Sequence, residues 1–210
     1  MNDLAERLHE GLGTSELPEG WLSSQPWTTL EKRPFILLGT GIGGSIALQY
    51  AQKYANHLAG LILHAPVGTR LDTRWFPRLM SLPVNRKIGK MVFTSSLMRP
   101  FWRKALFTKP LPKEAESQFF DEYRQCQLFG EMFDWITPEW FDRLNPISIP
   151  AALLWGERER VLTVDQLDDY KALLLDPVIH KEPNWDHFPM LETPKQFVDV
   201  LTSLSLKISE

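Results

Sequence analysis

The stretch LLGTGIGGSIALQYA, residues 37–51, constrains this chain more than any other part of it: an apolar run ends in clustered glycines and passes at once into a helical pattern. Phe35 to Leu38 form a short apolar run between Pro34 and Gly39, as expected of a strand buried on both faces. Beyond the glycines, Ile46, Ala47, Tyr50, Ala51 and Tyr54 recur at helical spacing and predict a buried stripe. The local architecture is therefore strand, tight glycine turn, helix.

The same alternation continues along the chain. Leu61 to His64, Ala151 to Trp155 (entered through Pro150) and Val178 to Lys181 are further strand candidates. Residues 2–12 place Leu4, Leu8 and Leu12 on one helical face. Thr163 with Gln166 three positions on reads as a capping box ahead of Val164, Leu167 and Tyr170. Thr193, Pro194 and Gln196 predict a second box, with Phe197, Val198, Leu201 and Leu204 facing inward. Strands alternating with helices predict an α/β fold with a parallel sheet and right-handed crossovers. With 210 residues, 43% of them hydrophobic, the chain can fill one core.

Some eighty residues separate the second strand from the third, far more than a normal connection. The reading is a core of residues 1–67 and 146–210, with 68–145 inserted as a helical lid. Its aromatics Trp75, Phe76, Trp102 and Trp135 are expected to line a cleft that takes a small apolar ligand. Residues 68–113 carry eleven Lys and Arg against Asp72 alone, and residues 114–142 carry eight Asp and Glu against Arg124 alone. Opposed helix faces that neutralise each other explain this split most simply. A sharper reading interleaves Arg99, Arg103 and Lys104 with Phe101, Trp102 and Phe107 as a face for an anionic membrane.

Net charge is -3, so no nucleic-acid partner is expected. Cys126 is the single cysteine, which excludes an internal disulfide, and it is expected as buried packing. No signal-like start and no apolar run of membrane-spanning length are present, so a cytoplasmic location is expected.

The glycines at 39, 41 and 44 also satisfy the dinucleotide-binding spacing, which then requires an acid about twenty residues on, at the end of the next strand. The sequence there is LILHAP, and His64 cannot bind ribose hydroxyls as a carboxylate does. No cofactor or metal is expected, and dinucleotide binding remains a lesser alternative.

Three passages together resemble the α/β-hydrolases. LLGTGIGGSIALQYA is similar to their strand, nucleophile elbow and helix; LLWGERERV, residues 153–161, to the loop carrying the orienting acid; and NWDHFPMLETPKQF, residues 184–197, to the loop carrying the histidine. The resemblance places the nucleophile slot at Gly41, an oxyanion donor at the Ile42 N–H, the acid at Glu159 and the histidine at His187. Glu159 has competing readings, as a surface ion pair with Arg158 or Arg160, or as a neighbour of a true acid at Asp165. Gly39 and Gly43 are read as the small residues the turn requires.

The resemblance also implies a sheet of this type truncated in its N-terminal half, because fewer than forty residues precede the elbow. Phe35 to Leu38 would then form an edge, covered by residues 1–33 or open to self-association or a partner chain. Gly41 has no side chain to attack a carbonyl, and losing a serine nucleophile costs on the order of a million-fold in turnover. The leading expectation is a degenerate, non-catalytic protein that binds a small apolar ligand or a partner. The alternative is a hydrolase of ester-like substrates that uses water activated by His187 and Glu159, or Ser45, Thr40 or Cys126 as substitute nucleophile.

Overall fold

The computed structural model describes residues 2–13, 34–71, 83–126, 134 and 136–209. Among them, β1 (Phe35–Thr40), β2 (Leu58–His64), β3 (Ala151–Gly156) and β4 (Val178–Glu182) form one sheet in the order β1-β2-β3-β4. Every neighbouring pair is parallel. The predicted strands are all present, each extended by one to three residues, because ladder pairing carries the strand past its apolar run.

Both faces of the sheet are covered, which explains why β3 is buried at every position. On one face, Leu61, Leu63, Leu153 and Trp155 meet Ala47, Leu48, Tyr50 and Ala51 of α2 (Ile42–Tyr54), together with Leu167, Tyr170 and Leu173 of α7 (Leu167–Leu173). Ala5 and Leu8 of α1 (Asn2–Gly13) join the same cluster, and the His9 ring stacks 4.0 Å from Tyr54. On the other face, Ile62, Ala152 and Leu154 meet Phe197, Leu204 and Ile208 at α8 (Pro194–Lys207). Burying each Leu, Ile or Phe side chain among these contributes roughly 1.5–3 kcal/mol. Parallel strands with an apolar set on each face can persist only when helices lie on both sides.

Several local expectations change in the folded chain. Neither capping box forms: Thr163 and Thr193 make no side-chain cap bond. Gln166 instead accepts from the Thr69 hydroxyl at 3.2 Å, and Gln196 donates to Glu182 at 3.0 Å. Residues 164–166 form a 3-10 turn ahead of α7. Val198 is 57% exposed, and Val200 packs inward in its place. Cys126 is half-buried at the end of a lid helix, not part of the core.

Between β2 and β3 the described residues form α3 (Pro83–Thr94), α4 (Arg99–Leu106), α5 (Lys113–Gln125) and the short α6 (Pro138–Asp142). Thr137 caps α6 by accepting the Trp140 N–H at 3.3 Å, and Trp140 and Phe141 pack against the first core cluster. Phe107, Leu111, Phe119 and Phe120 make a separate lid cluster. The basic and acidic halves do pair, through Arg99 to Asp121 at 2.9 Å and Arg103 to Glu116 at 2.5 Å. β1 is the outer strand of the described sheet, and residues 14–33, with their expected coverage of its edge, lie outside the described residues.

Candidate active site

The residues singled out in the sequence stand at the carboxyl edge of the sheet, where parallel strands and their loops form binding crevices. Gly41 follows β1 with φ 52 and ψ -118, a backbone region that side chains other than hydrogen rarely occupy. Its N–H donates to the His64 carbonyl at 3.0 Å, and its carbonyl accepts from Gly44 at 3.1 Å and Val67 at 3.0 Å. The turn is thus held from both sides by hydrogen bonds that do not involve a side chain. Among the described residues, a Cβ at Gly41 would meet nothing within 4 Å.

Close approach of strand and helix is enforced elsewhere in this turn. A Cβ on Gly39 would lie 2.7 Å from the Gly44 Cα, and one on Gly44 would lie 2.5 Å from the Pro66 Cβ. At Gly43 a Cβ would meet nothing, so Gly39 and Gly44, and not Gly43, are the residues that must be small. Ile42 opens α2, where the first amides lack an intrahelical acceptor and are suited to an anionic oxygen.

Glu159 sits in the loop after β3 with its carboxylate buried. One oxygen accepts the Val161 and Leu162 amides at 2.7 and 2.9 Å, and the other lies 2.7 Å from His187 Nδ1. Burial pushes the Glu159 carboxyl upward, but the His187 charge and these hydrogen bonds outweigh it and hold the group below its ordinary value. Glu159 is therefore ionised at neutral pH. It orients His187 through Nδ1 and leaves Nε2 as the nitrogen for proton transfer.

Two loops meet to make this contact, and their meeting dictates Gly156. A Cβ there would fall 2.3 Å from the Trp185 carbonyl oxygen. The Arg158 amide donates to the same oxygen at 3.1 Å, and Trp155 Nε1 closes the acid loop onto the Leu162 carbonyl at 2.7 Å. Arg160 is turned away from Glu159 to the fully buried Asp186, with Nε to Oδ2 at 2.5 Å. Asp186 also accepts the Arg160 amide at 3.2 Å and the His187 amide at 2.9 Å. Asp165 pairs with Arg70 at 2.9 Å, which removes it as the orienting acid.

Asp186 is not among the residues the sequence singles out, and its adjacency to His187 is its one local signal; Arg160, considered there as a partner of Glu159, pairs with Asp186 instead. His64, at the end of β2, was read only as a failed ribose ligand. It is 1% exposed, edge-on to Trp185 and Phe197 at 6.4 and 5.5 Å, and neither ring nitrogen has a hydrogen-bond partner among the described residues. Burial first, then the His187 charge, push its imidazole down to about 4, with Glu159 opposing.

The remaining candidates fall elsewhere. Trp102 packs against the lid cluster and donates Nε1 to the Val92 carbonyl at 3.4 Å. Trp75, Phe76 and Trp135 lie outside the described residues. Ser45 is buried with its hydroxyl given to the Val67 carbonyl at 2.5 Å, so it does not serve as a nucleophile. The lid nevertheless reaches the site: Phe107 and Phe119 lie 5.4 and 5.0 Å from Phe188, whose ring stands edge-on to His187 at 4.5 Å. The Thr108 and Lys109 amides donate to Glu192 at 2.5 and 2.7 Å.

Comparison with known proteins agrees with this geometry. The chain is 24% identical over 185 residues to monoacylglycerol lipase abhd6-B of Xenopus laevis, covering 82% of this chain and 55% of that protein. It is 25% identical over 191 residues to monoacylglycerol lipase ABHD6 of Rattus norvegicus, covering 83% and 57%. The chain thus spans little more than half the length of these curated relatives. A crystal structure of a candidate lipase from Acinetobacter baumannii superposes with a TM-score of 0.68 at 22% identity, over 98% of this chain and 67% of that one. The sequence model described as the alpha/beta hydrolase family matches residues 2–200, and with the sequential parallel sheet it shows that the chain belongs to that family.

Proposed function

We propose that this chain hydrolyses ester-type substrates by general-base activation of water, not through a covalent enzyme intermediate. The observation that carries this reading is the complete Glu159–His187 pair, with a buried, ionised acid satisfied at both oxygens. A histidine held in one tautomer by such an acid is a base prepared for work. Among the described residues nothing stands within 4 Å of a Gly41 Cβ position, which leaves room there for the water that takes the place of a nucleophilic hydroxyl. His187 Nε2 takes the water proton as its oxygen adds to the carbonyl carbon. The Ile42 N–H faces the developing oxyanion. The same proton then passes to the departing alkoxide as the carbon–oxygen bond breaks, and acid and alcohol leave. The relatives named as monoacylglycerol lipases support lipid esters as the substrate class.

Turnover of p-nitrophenyl esters of graded acyl length tests the proposal. His187→Ala should lower it about 100- to 10,000-fold, the usual contribution of a positioned base. A serine-directed fluorophosphonate should leave the protein unlabelled. Stoichiometric labelling would overturn the water mechanism.

One observation favours a second reading, a degenerate family member that binds a small apolar ligand or a partner without reaction: the nucleophile slot is a glycine. Turnover no higher than that of His187→Ala, joined to a rise in melting temperature with long-chain acyl ligands, would establish that reading in place of the first.

A further inference from the structure

The lid carries a surface that the site chemistry does not use. Ile88 and Met91 lie three residues apart on α3, Leu97 sits in the short connection to α4, and Phe101 follows in the first turn of α4; all four are exposed, Leu97 by 89% and Met91 by 66%. Large apolar groups at this exposure, four within fourteen residues, are what an interaction face presents. The same segment, residues 83–106, holds six Lys and Arg and no Asp or Glu. Arg99 and Arg103 are drawn to Asp121 and Glu116 of α5, while Lys87 and Lys104 are exposed.

We infer that this α3–α4 face docks on an anionic lipid surface, with Leu97 and Met91 entering the acyl boundary and Lys87 and Lys104 meeting the headgroups. Apolar side chains flanked by cations with no intervening acid match the layered chemistry of such a surface. A second copy of this chain is disfavoured, because two like faces would set cation against cation. The protrusion of Leu97 from a bend between helices suits insertion into a fluid layer. The lid also touches the histidine loop, through Phe107 against Phe188 and Lys109 to Glu192, so docking would hold the site close to the lipid. Docking goes beyond the proposed hydrolysis and is measured without turnover.

Flotation of the purified chain with phosphatidylcholine vesicles, alone or mixed with phosphatidylserine, tests the inference. Binding should be confined largely to the mixed vesicles and weaken with added salt. Neutralising Lys87 or Lys104 to Gln should lower partitioning roughly fivefold each. The double variant Met91→Ser/Leu97→Ser should lower it about tenfold or more, since each lost apolar side chain forfeits its burial. Both substitutions are at exposed positions, and an unchanged near-ultraviolet circular dichroism spectrum would show that the fold is kept. His187→Ala should bind as the parent does, which separates docking from the chemistry of the site. No vesicle binding, equal binding to both compositions, or retention of binding by the double variant would overturn the inference. So would binding of polyglutamate without vesicle binding, which would indicate an acidic protein partner, or a dimer that the double variant abolishes, which would assign the face to self-association.

Discussion

Two corners of the same sheet edge contrast sharply. Around His187 every main element is tied down: Glu159 to His187 and two amides, Asp186 to Arg160 and the His187 amide, Gly156 under the Trp185 carbonyl. At Gly41 the backbone is held as firmly, by His64, Gly44 and Val67, yet the direction in which a side chain would point is open. The Glu159 carboxylate is therefore satisfied at both oxygens and His187 is held through Nδ1, whereas Gly41 keeps a strained turn and carries no side chain. This contrast is the ground of the proposed hydrolysis by activated water.

The largest effect expected outside turnover concerns His64, buried beneath the histidine corner with His187 and Glu159 as the ionisable groups acting on it. Its folded-state value of about 4 lies below the ordinary 6.5, so between these values the unfolded chain binds the extra proton. Stability is fully present above about pH 6.5 and falls as the pH drops toward 4, by about 3 kcal/mol at roughly 1.4 kcal/mol for each pH unit. His64→Phe should flatten the acid side of a denaturant-midpoint curve across that window. An unchanged slope would show that the imidazole is not the acid-sensitive group of this corner.

A smaller effect tests how the corner is tied together. Asp186→Ala leaves the Arg160 and His187 amides without their acceptor and should cost about 2–3 kcal/mol of stability. Because Asp186 acts on His187 through the backbone, kcat should fall while KM changes little. A variant with wild-type kcat and lowered melting temperature would reduce Asp186 to a structural role.

The smallest expected change lies at the open corner. Gly41→Ser places a hydroxyl where nothing interferes, at a cost of about 1–3 kcal/mol for a non-glycine residue in that backbone region. Melting temperature should drop by a few degrees. Activity on p-nitrophenyl acetate should rise only modestly, because the substitution adds a nucleophile but no oxyanion donor beyond the Ile42 N–H proposed above, and each such donor is worth ~2.7–4 kcal/mol. Full serine-esterase turnover in this variant would show that a second donor is in place, and it would remove the contrast between the corners.

Legibility followed the range of the interactions. Strand positions, the alternation with helices and the glycine turn at residue 41 could be read directly, since each rests on an apolar run or a motif a few residues long. Val198 and both capping boxes misled because tertiary partners overrode local preference: Gln166 found Thr69 and Gln196 found Glu182. Glu159 was legible as a candidate but not as the choice over Asp165, which turned on Arg70, 95 residues away in sequence.

By itself the sequence determined which elements form, their parallel arrangement, and the absence of a reactive atom at residue 41, because those depend on side-chain identity and short-range periodicity. Only the tertiary structure decided that Arg160 belongs to Asp186, that Gly44 must be small, that His64 is buried without a hydrogen-bond partner among the described residues, and that Leu97 stands in solvent. Each of those outcomes is set by segments distant in sequence approaching within a few ångströms, and no local pattern encodes which of them will meet.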